Sequence, residues 1–455
     1  GGRPTPGSIR QKRARMVAVV MDNAVASLVL AGIPLLGAAF GFAVWSRPDY
    51  LRNWSVVLSI LSLAAAAGMS GSLATSPENL LLVYLLPVAA CVSLLGQPVH
   101  KSLRQSWITT LLFLGLGFVI LTSQNVMGQV CLLVLLSSLI ALLYRHHTQL
   151  WPISWLGIGA YALAVGCVTI SLVAAPPLSS VASLLSCAVL LPLMPFHQGH
   201  ITALTRLPGS LPSFIVLLLP VIGLHGATSV MPTVPDAAAW TVSLLALAGT
   251  FYGAVKALAQ SRARLLLSYS SLSFYSMLWW FGASTNATTP RAAVFVGAVG
   301  FTTSGLLLAW QVIRTRYGDD VDPQSISGLA ATMPRYAVLL SLLALAATGL
   351  PPFGLFASFM GLLLLSKVSF SIGIVIIVTA WLAASWYIMA MVQQWLFGTH
   401  RYGLRYTDLL PGELASLTIL VVVLLALGVV PTHLLETGMV MTATGAITEL
   451  FAWNK

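Results

Sequence analysis

The chain has 455 residues, of which 58% are hydrophobic and 7% are charged, whereas about 25% of the residues in a typical soluble domain are charged. This composition excludes a soluble globular protein. It predicts an all-α integral membrane protein, because apolar stretches of about 20 residues, the length that crosses a bilayer as a helix, recur from end to end. The net charge of +11 comes largely from loop arginines, so it indicates membrane topology rather than nucleic-acid binding.

The hydrophobic pattern divides the chain into three parts. Residues 1–15 form a basic N-terminal extension that we expect to be disordered, residues 16–431 form a polytopic membrane domain, and residues 432–455 form an amphipathic C-terminal tail. The membrane domain contains about fourteen predicted spans. In chain order they are residues 24–46, 54–73, 79–98, 105–123, 126–144, 152–174, 182–204, 211–231, 238–258, 265–283, 292–313, 336–366, 369–397 and 412–431.

Basic residues in the loops support this count. After even-numbered spans only Arg291 and Lys367 occur, apart from the terminal Lys455. The basic residues after odd-numbered spans are Arg47, Arg52, Lys101, Arg104, Arg145, Arg206, Arg262, Arg264, Arg314, Arg316, Arg335, Arg401 and Arg405. Because Lys and Arg concentrate in cytoplasmic loops, we expect the first span to begin outside, although the basic run within residues 1–15 is at odds with that orientation.

Two segments interrupt the helical pattern at membrane depth. One is Leu-Pro-Gly-Ser-Leu-Pro-Ser at residues 207–213, with Pro220 further along, and the other is Thr-Gly-Leu-Pro-Pro-Phe-Gly-Leu-Phe at residues 348–356. Interrupted helices free backbone groups that lipid cannot satisfy, and a pair of them in the two halves of a chain is typical of transporters built from inverted repeats. Ordinary proline kinks would give the same pattern, so the residues leave both readings open.

Cysteine usage argues against a bound redox centre. The four cysteines, Cys91, Cys131, Cys167 and Cys187, all fall within predicted spans and form no Cys-x-x-Cys pair. We interpret them as small buried residues and expect neither a cofactor nor a metal in this chain.

Three motifs occur in a characteristic order. They are Pro195-Phe196-His197 followed by Leu207-Pro208, the segment 260–273 (Gln-Ser-Arg-Ala-Arg-Leu-Leu-Leu-Ser-Tyr-Ser-Ser-Leu-Ser), and Leu-Pro-Pro-Phe-Gly at residues 350–354. With a fainter match over residues 125–139, the set resembles the antiporter-like membrane subunits of respiratory complex I, membrane-bound hydrogenases and multisubunit sodium/proton antiporters. The resemblance covers roughly residues 120–400. It implies a helical bundle with two discontinuous helices and inverted repeats.

The resemblance also implies a buried relay that this chain lacks. In that family a membrane glutamate pairs with a lysine on the first broken helix, and further ionisable residues lead to the second. Alignment places Val134 at the glutamate, Val221 at the lysine, Phe274 at a histidine and Ser358 at the last acidic position. We therefore expect a divergent member without the usual Glu/Lys pair.

Few ionisable residues remain as relay candidates. Lys256, His197, His200 and His225 are the candidates, because buried lysine and histidine exchange protons readily. Lys256 as an interfacial anchor and the histidines as caps of freed backbone groups are the alternatives. Arg262 and Arg264 stay protonated, so we expect them to anchor the loop, a neighbouring subunit or lipid.

The function expected from the resemblance is an antiporter-like membrane subunit of a larger proton-translocating, redox-driven complex, such as a complex I-like NADH-quinone oxidoreductase or a membrane hydrogenase. Such a subunit is not catalytic alone and here is degenerate in proton conduction. Expected partners are other membrane subunits, the lipid bilayer and redox subunits carrying flavin or iron–sulfur centres, with no nucleic acid. The expected location is a bacterial-type cytoplasmic membrane. The alternatives are a subunit of a sodium/proton antiporter or inorganic-carbon uptake transporter, and a non-conducting membrane scaffold.

Overall fold

The computed structural model describes residues 6–70, 77–98, 103–123, 126–145, 154–285, 290–318, 326–365, 372–398 and 407–429. These residues form α-helices and connections, with no strand among the described ranges. The α-helices are α1 (Pro6–Ala43), α2 (Pro48–Gly68), α3 (Pro77–Leu95), α4 (Arg104–Thr122), α5 (Val126–Arg145), α6 (Trp155–Val173), α7 (Leu178–Leu190), α8 (Gln198–Arg206), α9 (Leu211–Val230), α10 (Asp236–Leu258), α11 (Ala263–Thr285), α12 (Pro290–Tyr317), α13 (Leu329–Thr332), α14 (Pro334–Ala347), α15 (Gly354–Leu365), α16 (Ile372–Leu396) and α17 (Pro411–Val429).

The helices confirm a multi-pass integral membrane fold. Ten of them are long and apolar enough to cross a membrane. The other helices that coincide with predicted spans are α3, the largely buried α11 and the two interrupted elements, α7–α8 and α14–α15. Ten and four make fourteen elements, and each coincides with one of the fourteen predicted spans. The short α13 lies in the connection before α14.

The predictions for the two ends of the chain have different outcomes. We expected residues 1–15 to be disordered, but α1 begins at Pro6, so residues 6–15 are helical. The amphipathic tail expected at residues 432–455 lies outside the described residues, so it stays a prediction.

Helix α12 forms the centre of the bundle. It packs against α3, α9, α11, α14, α15 and α17. Its most apolar 18-residue window is entirely buried, whereas the corresponding windows of α1, α2, α10 and α16 are 39% buried. The outer helices therefore leave apolar faces to lipid or to neighbouring subunits, while α12 contacts only this chain along that window.

The order of elements matches a duplicated arrangement. Helices α4, α5, α6, α7–α8 and α9 form one series of five, and α10, α11, α12, α14–α15 and α16 form the next. The fourth element is interrupted in both. Because five crossings are an odd number, the second series begins on the opposite side of the membrane from the first. This is the element order that inverted repeats require.

The first interruption is not where the sequence pattern placed it. We predicted it at residues 207–213 with Pro220, and that position was wrong: α7 ends at Leu190, and residues 191–197 separate it from α8. Pro192 and Pro195, which lack N–H donors, lie in this gap.

The prolines from which we predicted the first interruption do not break a helix within the membrane. Pro208 lies in the α8–α9 connection and Pro212 in the first turn of α9, where an N–H has no helical partner. Pro220 lies inside α9, which continues past it. The carbonyl that Pro220 leaves unbonded, four residues earlier on Val216, accepts a 2.7 Å hydrogen bond from the Tyr275 hydroxyl.

A tryptophan donates to a freed carbonyl at each interruption. At the first, Trp279 Nε1 of α11 donates to the Leu191 carbonyl at 2.9 Å. The second lies at residues 348–353, as predicted, and there Trp381 Nε1 of α16 donates to the Thr348 carbonyl at 2.8 Å. Gly349 has a φ of 70°, and a Cβ added to it would overlap the Trp381 ring. Neutral indole groups thus satisfy both breaks.

A buried ion pair joins α12 to α17. The Arg316 guanidinium makes two hydrogen bonds to the Glu413 carboxylate, at 2.7 and 2.6 Å, and the two side chains are 8% and 3% exposed. Glu413 also accepts a hydrogen bond from the Leu410 amide at 2.9 Å. With alternating crossings, this pair lies on the membrane side that carries the described loop arginines, such as Arg104 and Arg145, which we call the basic side.

Replacing Glu413 with Gln leaves the Arg316 guanidinium buried without a counter-charge. We expect the free energy of unfolding to fall by about 3–5 kcal/mol, the usual cost of breaking a buried pair. Thermal unfolding in detergent measures this. The double variant Arg316→Met/Glu413→Leu removes both charges and is expected to recover most of the loss; a single variant that unfolds like the parent protein would contradict the assignment.

Replacing Trp279 or Trp381 with Phe removes the N–H that satisfies a buried carbonyl, so each variant is expected to lose about 1–3 kcal/mol beyond the cost of the smaller ring. Trp107→Phe is the control, since Trp107 is fully buried and its indole N–H has no hydrogen-bond partner among the described residues. Thermal unfolding of the three variants compares them, and equal losses would show that the indole hydrogen bonds contribute nothing specific.

Candidate functional site

Two of the histidine candidates lie together at the first interruption. His197 immediately precedes α8 and His200 lies in its first turn; they are 4% and 1% exposed. His200 Nε2 is 2.9 Å from the Ser271 hydroxyl of α11, and its ring meets the Tyr275 ring edge-on at 5.9 Å. His200 Nδ1 is buried and has no hydrogen-bond partner among the described residues.

Helix α11 connects this histidine to the second half of the bundle. Ser270, next to Ser271, accepts a 2.9 Å hydrogen bond from the Tyr387 hydroxyl of α16, and both groups are buried. We call the set His200, Ser271, Ser270 and Tyr387 the α11 polar line. Its two contacts attach α8 and α16 to neighbouring residues of α11, since His200 meets Ser271 and Tyr387 donates to Ser270. Each of these side chains can donate and accept a hydrogen bond, and none is a carboxylate, lysine or arginine.

Lys256 lies outside this line. It is exposed, two residues before the end of α10 on the basic side. Its Nζ is 5.8 Å from the centre of the Tyr252 ring, and that ring also lies 5.3 Å from the His197 ring and 6.1 Å from the Tyr269 ring. The aromatic ring therefore separates the ammonium group from the buried histidine. This is the geometry expected of a lysine whose charged end reaches the interface.

His225 lies apart from the other two histidines. It belongs to α9, and its Nδ1 is 2.9 Å from the Asn79 side-chain oxygen of α3. It borders a cavity of about 260 Å³ that is lined by both polar and apolar side chains, near the ends of α4, α6 and α9 that lie away from the basic side. The structure thus brings His197 and His200 together and leaves His225 on the opposite side of the interruption.

Arg264 is engaged within the chain. Its guanidinium donates to the Thr205 carbonyl of α8 and to the Gln311 side-chain oxygen of α12, both at 3.2 Å. It therefore ties the start of α11 to two neighbouring helices. Arg262 lies exposed in the connection between α10 and α11.

The positions aligned with the missing family charges fall at different depths. Val134 is 47% exposed on α5, whereas the adjacent Leu135 is fully buried, so the interior position of that turn belongs to Leu135. Val221 is fully buried, but on α9 rather than on the interrupted element. The membrane half of that element, α7, contains no ionisable residue except Cys187.

The two later positions are also interior and neutral. Phe274 of α11 is 4% exposed and Ser358 of α15 is fully buried. The Ser358 hydroxyl donates to the Gly354 carbonyl of its own helix at 2.7 Å, so it satisfies itself locally. The side chains at all four positions, Val134, Val221, Phe274 and Ser358, are therefore uncharged.

Sequence reasoning missed two contacts. The Arg316–Glu413 pair joins residues 97 positions apart, and the sequence offered only one signal, an acidic residue directly after Pro411-Gly412 at the start of an apolar span. The bond between Tyr387 and Ser270 spans 117 positions. Its signal was that Tyr387 is the one ionisable residue between Trp381 and Phe397.

Comparison with known proteins identifies the relatives of the chain. The family model described as NADH:quinone oxidoreductase/Mrp antiporter, transmembrane, matches residues 127–386. NADH-quinone oxidoreductase subunit N of Pelobacter propionicus is 29% identical over 112 residues, 24% of either chain. Subunit N of Saccharopolyspora erythraea is 25% identical over 257 residues, 53% of this chain and 48% of that protein. The chain thus matches less than half the length of these curated relatives.

Solved structures share the fold over nearly the whole chain. A chain of respiratory complex I from Thermus thermophilus superposes with a TM-score of 0.74 at 18% identity, covering 90% of this chain and 96% of that one. A chain of the archaeal membrane-bound sulfane sulfur reductase gives 0.75 at 15% identity, with 91% and 96% covered. A chain of the Mrp complex from a Dietzia species gives 0.71 at 17% identity, with 92% and 96% covered.

The family match spans more than half of the chain. It includes both interruptions and three members of the α11 polar line, His200, Ser270 and Ser271, and it ends one residue before Tyr387. The motifs that suggested the resemblance all lie within it. The chain therefore belongs to the NADH:quinone oxidoreductase/Mrp antiporter transmembrane family and is a multi-pass membrane protein.

Proposed function

We propose that the chain is an antiporter-like membrane subunit of a larger, redox-driven, ion-translocating complex, in which it keeps the helical frame of the family without its charged proton relay. The observation that carries the proposal is the α11 polar line. The line lies in the interior between the first interrupted element and α16, and its members are one imidazole and three hydroxyl groups.

The distribution of buried charge supports the absence of a relay. Among the described residues, Glu413 is the only buried Asp, Glu or Lys, and the side chain of its partner Arg316 is buried with it. It lies at the basic end of α17 and is held by Arg316. A charge relay needs a carboxylate and a base whose separation changes the proton affinity of the base. The interior of the described bundle contains no such pair of a carboxylate and a base, so it lacks the groups that a charge relay of that kind requires.

The relatives support a place in a larger assembly. Two curated relatives are named as subunits of NADH-quinone oxidoreductase, and the solved neighbours belong to a respiratory complex, a reductase complex and an antiporter complex. The exposed apolar faces of α10 and α16, including Trp240 and Trp386 at 66% and 72% exposed, suit contact with lipid or with other membrane subunits. We place the chain with such subunits in a bacterial-type cytoplasmic membrane, alongside redox subunits that carry flavin or iron–sulfur centres.

Two other assignments compete with this one. A subunit of a sodium/proton antiporter or of an inorganic-carbon uptake transporter would occupy the same fold without redox partners. A non-conducting scaffold would share the absence of the relay but would serve only to hold neighbours in place.

Purification in mild detergent separates the redox-driven assignment from the transport assignments. We expect the tagged full chain to retain other membrane subunits together with subunits that show flavin or iron–sulfur absorbance. An intact complex without any redox-active subunit would contradict the redox-driven part of the proposal and favour the antiporter or carbon-uptake alternatives.

Lys256→Ala and Tyr387→Phe test whether protons follow the remaining candidates. Because Lys256 is exposed and the α11 polar line lacks charged members, we expect the ratio of protons moved to electrons transferred to equal that of the parent complex in both variants. Proton uptake by membrane vesicles, normalised to complex content on native gels, measures this ratio. A lower ratio in either variant with unchanged assembly would show that the chain conducts through that residue.

A further inference from the structure

The cavity beside His225 has no part in the proposed function. Half of its eighteen described lining residues carry hydroxyl, amide or imidazole groups, and no Asp, Glu, Lys or Arg is among those described. The nine polar residues are Asn79, Ser123, Gln129, Ser171, Ser183, Ser186, His225, Thr228 and Ser229. The larger share of the lining surface is apolar. The volume of about 260 Å³ is large enough to hold several water molecules beside the polar groups.

The helix ends around the cavity define the side on which it lies. Ser123 follows the last residue of α4, Ser171 lies in the last turn of α6 and Ser229 in the last turn of α9. These ends lie away from Arg104, at the start of α4, and Arg206, at the end of α8, which mark the basic side. Ser229 is exposed, so the cavity has its mouth at the non-basic surface.

The cavity reaches from that surface to the first interruption. Along α7 it is bordered by Ser183, Ser186, Cys187 and Leu190. Seven residues of helix from Ser183 to Leu190 correspond to about 10 Å. Leu190 is the last residue of α7, and with Ile222 it supplies apolar surface at the deep end.

The far side of the interruption is closed by packing. The carbonyl of Leu191 is held by Trp279, and a Cβ added to Gly223 would overlap the Leu191 amide. The next polar groups, His197 and His200, are 4% and 1% exposed. The polar path from the surface therefore ends where α7 ends.

We propose that this cavity is an aqueous vestibule, entered from the non-cytoplasmic side, that admits water and small hydrophilic solutes as far as Leu190 and Ile222. A neutral lining of hydroxyl, amide and imidazole groups suits hydrated molecules, whereas a bare ion would find no opposite charge there. The vestibule does not rest on the proposed function, since a conducting and a non-conducting subunit would both possess it.

The native cysteines provide a matched test. Cys131, Cys167 and Cys187 are 9%, 5% and 4% exposed and free of disulfides, but only Cys187 borders the cavity. Three full-length chains, each keeping one of these thiols with the other cysteines replaced by alanine, are assembled into the whole complex. Each is treated with a membrane-impermeant trimethylammonium methanethiosulfonate and, separately, with silver ion, in spheroplasts and in inverted vesicles.

We expect Cys187 to react in spheroplasts, where the non-cytoplasmic side is accessible, and to remain unmodified in inverted vesicles. Cys131 and Cys167 are expected to remain unmodified in both, because equal burial without contact with the cavity gives water no access. Ser183→Phe, which places a ring in the cavity, is expected to slow modification of Cys187 while the complex stays intact on native gels.

Two results would overturn the vestibule. One is a Cys187 thiol that neither reagent modifies in spheroplasts, although it reacts fully after denaturation. The other is modification of Cys187 only in inverted vesicles, which would place the mouth of the cavity on the cytoplasmic side. Modification of all three thiols at equal rates would likewise show that access depends on local opening rather than on the cavity.

Discussion

Two helices of this bundle stop and restart within the membrane, where lipid offers no group that can bond to the backbone. The carbonyls of Leu191 and Thr348 are therefore committed to partners inside the protein, and each receives an indole N–H from another helix. The same requirement arises where Pro220 interrupts the bonding of α9, and the Tyr275 hydroxyl meets it. Much of the interior is arranged around these donors, since α11 supplies both Trp279 and Tyr275 and packs between the two halves.

The choice of neutral donors accounts for where charge is found. Placing a charged side chain at the bilayer centre costs about 2.5–3.5 kcal/mol on insertion scales, so such residues are rare and usually have a function there. Here the buried acid, Glu413, lies at the basic end of α17 with Arg316 as its partner, and Lys256 lies at the exposed end of α10. These charged groups thus lie at the edges of the bundle. In the interior, the hydroxyl and imidazole groups of the α11 polar line attach α8 and α16 to α11.

Composition and apolar length were sufficient to predict helices at all fourteen expected spans, ten of which are long and apolar enough to cross a membrane. They were also sufficient to predict the second interruption, because these features depend on local chemistry alone. The first interruption was placed about fifteen residues too late. Pro208, Gly209, Pro212 and Pro220 form the denser cluster of helix-breaking residues, yet a connection, a first turn and a tyrosine hydroxyl absorb them. Whether a proline ends a helix depends on which distant side chain reaches the freed carbonyl, and this is a property of the folded chain.

In the candidate site, too, local motifs were predictable from the sequence, whereas contacts between distant residues were not. Pro195-Phe196-His197 was sufficient to identify the family and to bring His197 and His200 into view, since the motif is local. Their relation to Ser271, and that of Tyr387 to Ser270, depends on the packing of α8, α11 and α16. The burial of Glu413 likewise depends on α12 reaching α17, which no pattern within either helix indicates.

The second interruption, from Thr348 to Phe353, contains no ionisable residue, and its carbonyl is held by an indole that neither gains nor loses a proton. Moving one elementary charge across a potential of about 100 mV is worth about 2.3 kcal/mol, and this is how voltage acts on a membrane segment. A segment without charged side chains does not gain or lose this energy when it moves. A rearrangement confined to residues 348–353 would move no side-chain charge through the field, so we expect it to depend on contacts with the elements packed around it more than on membrane voltage.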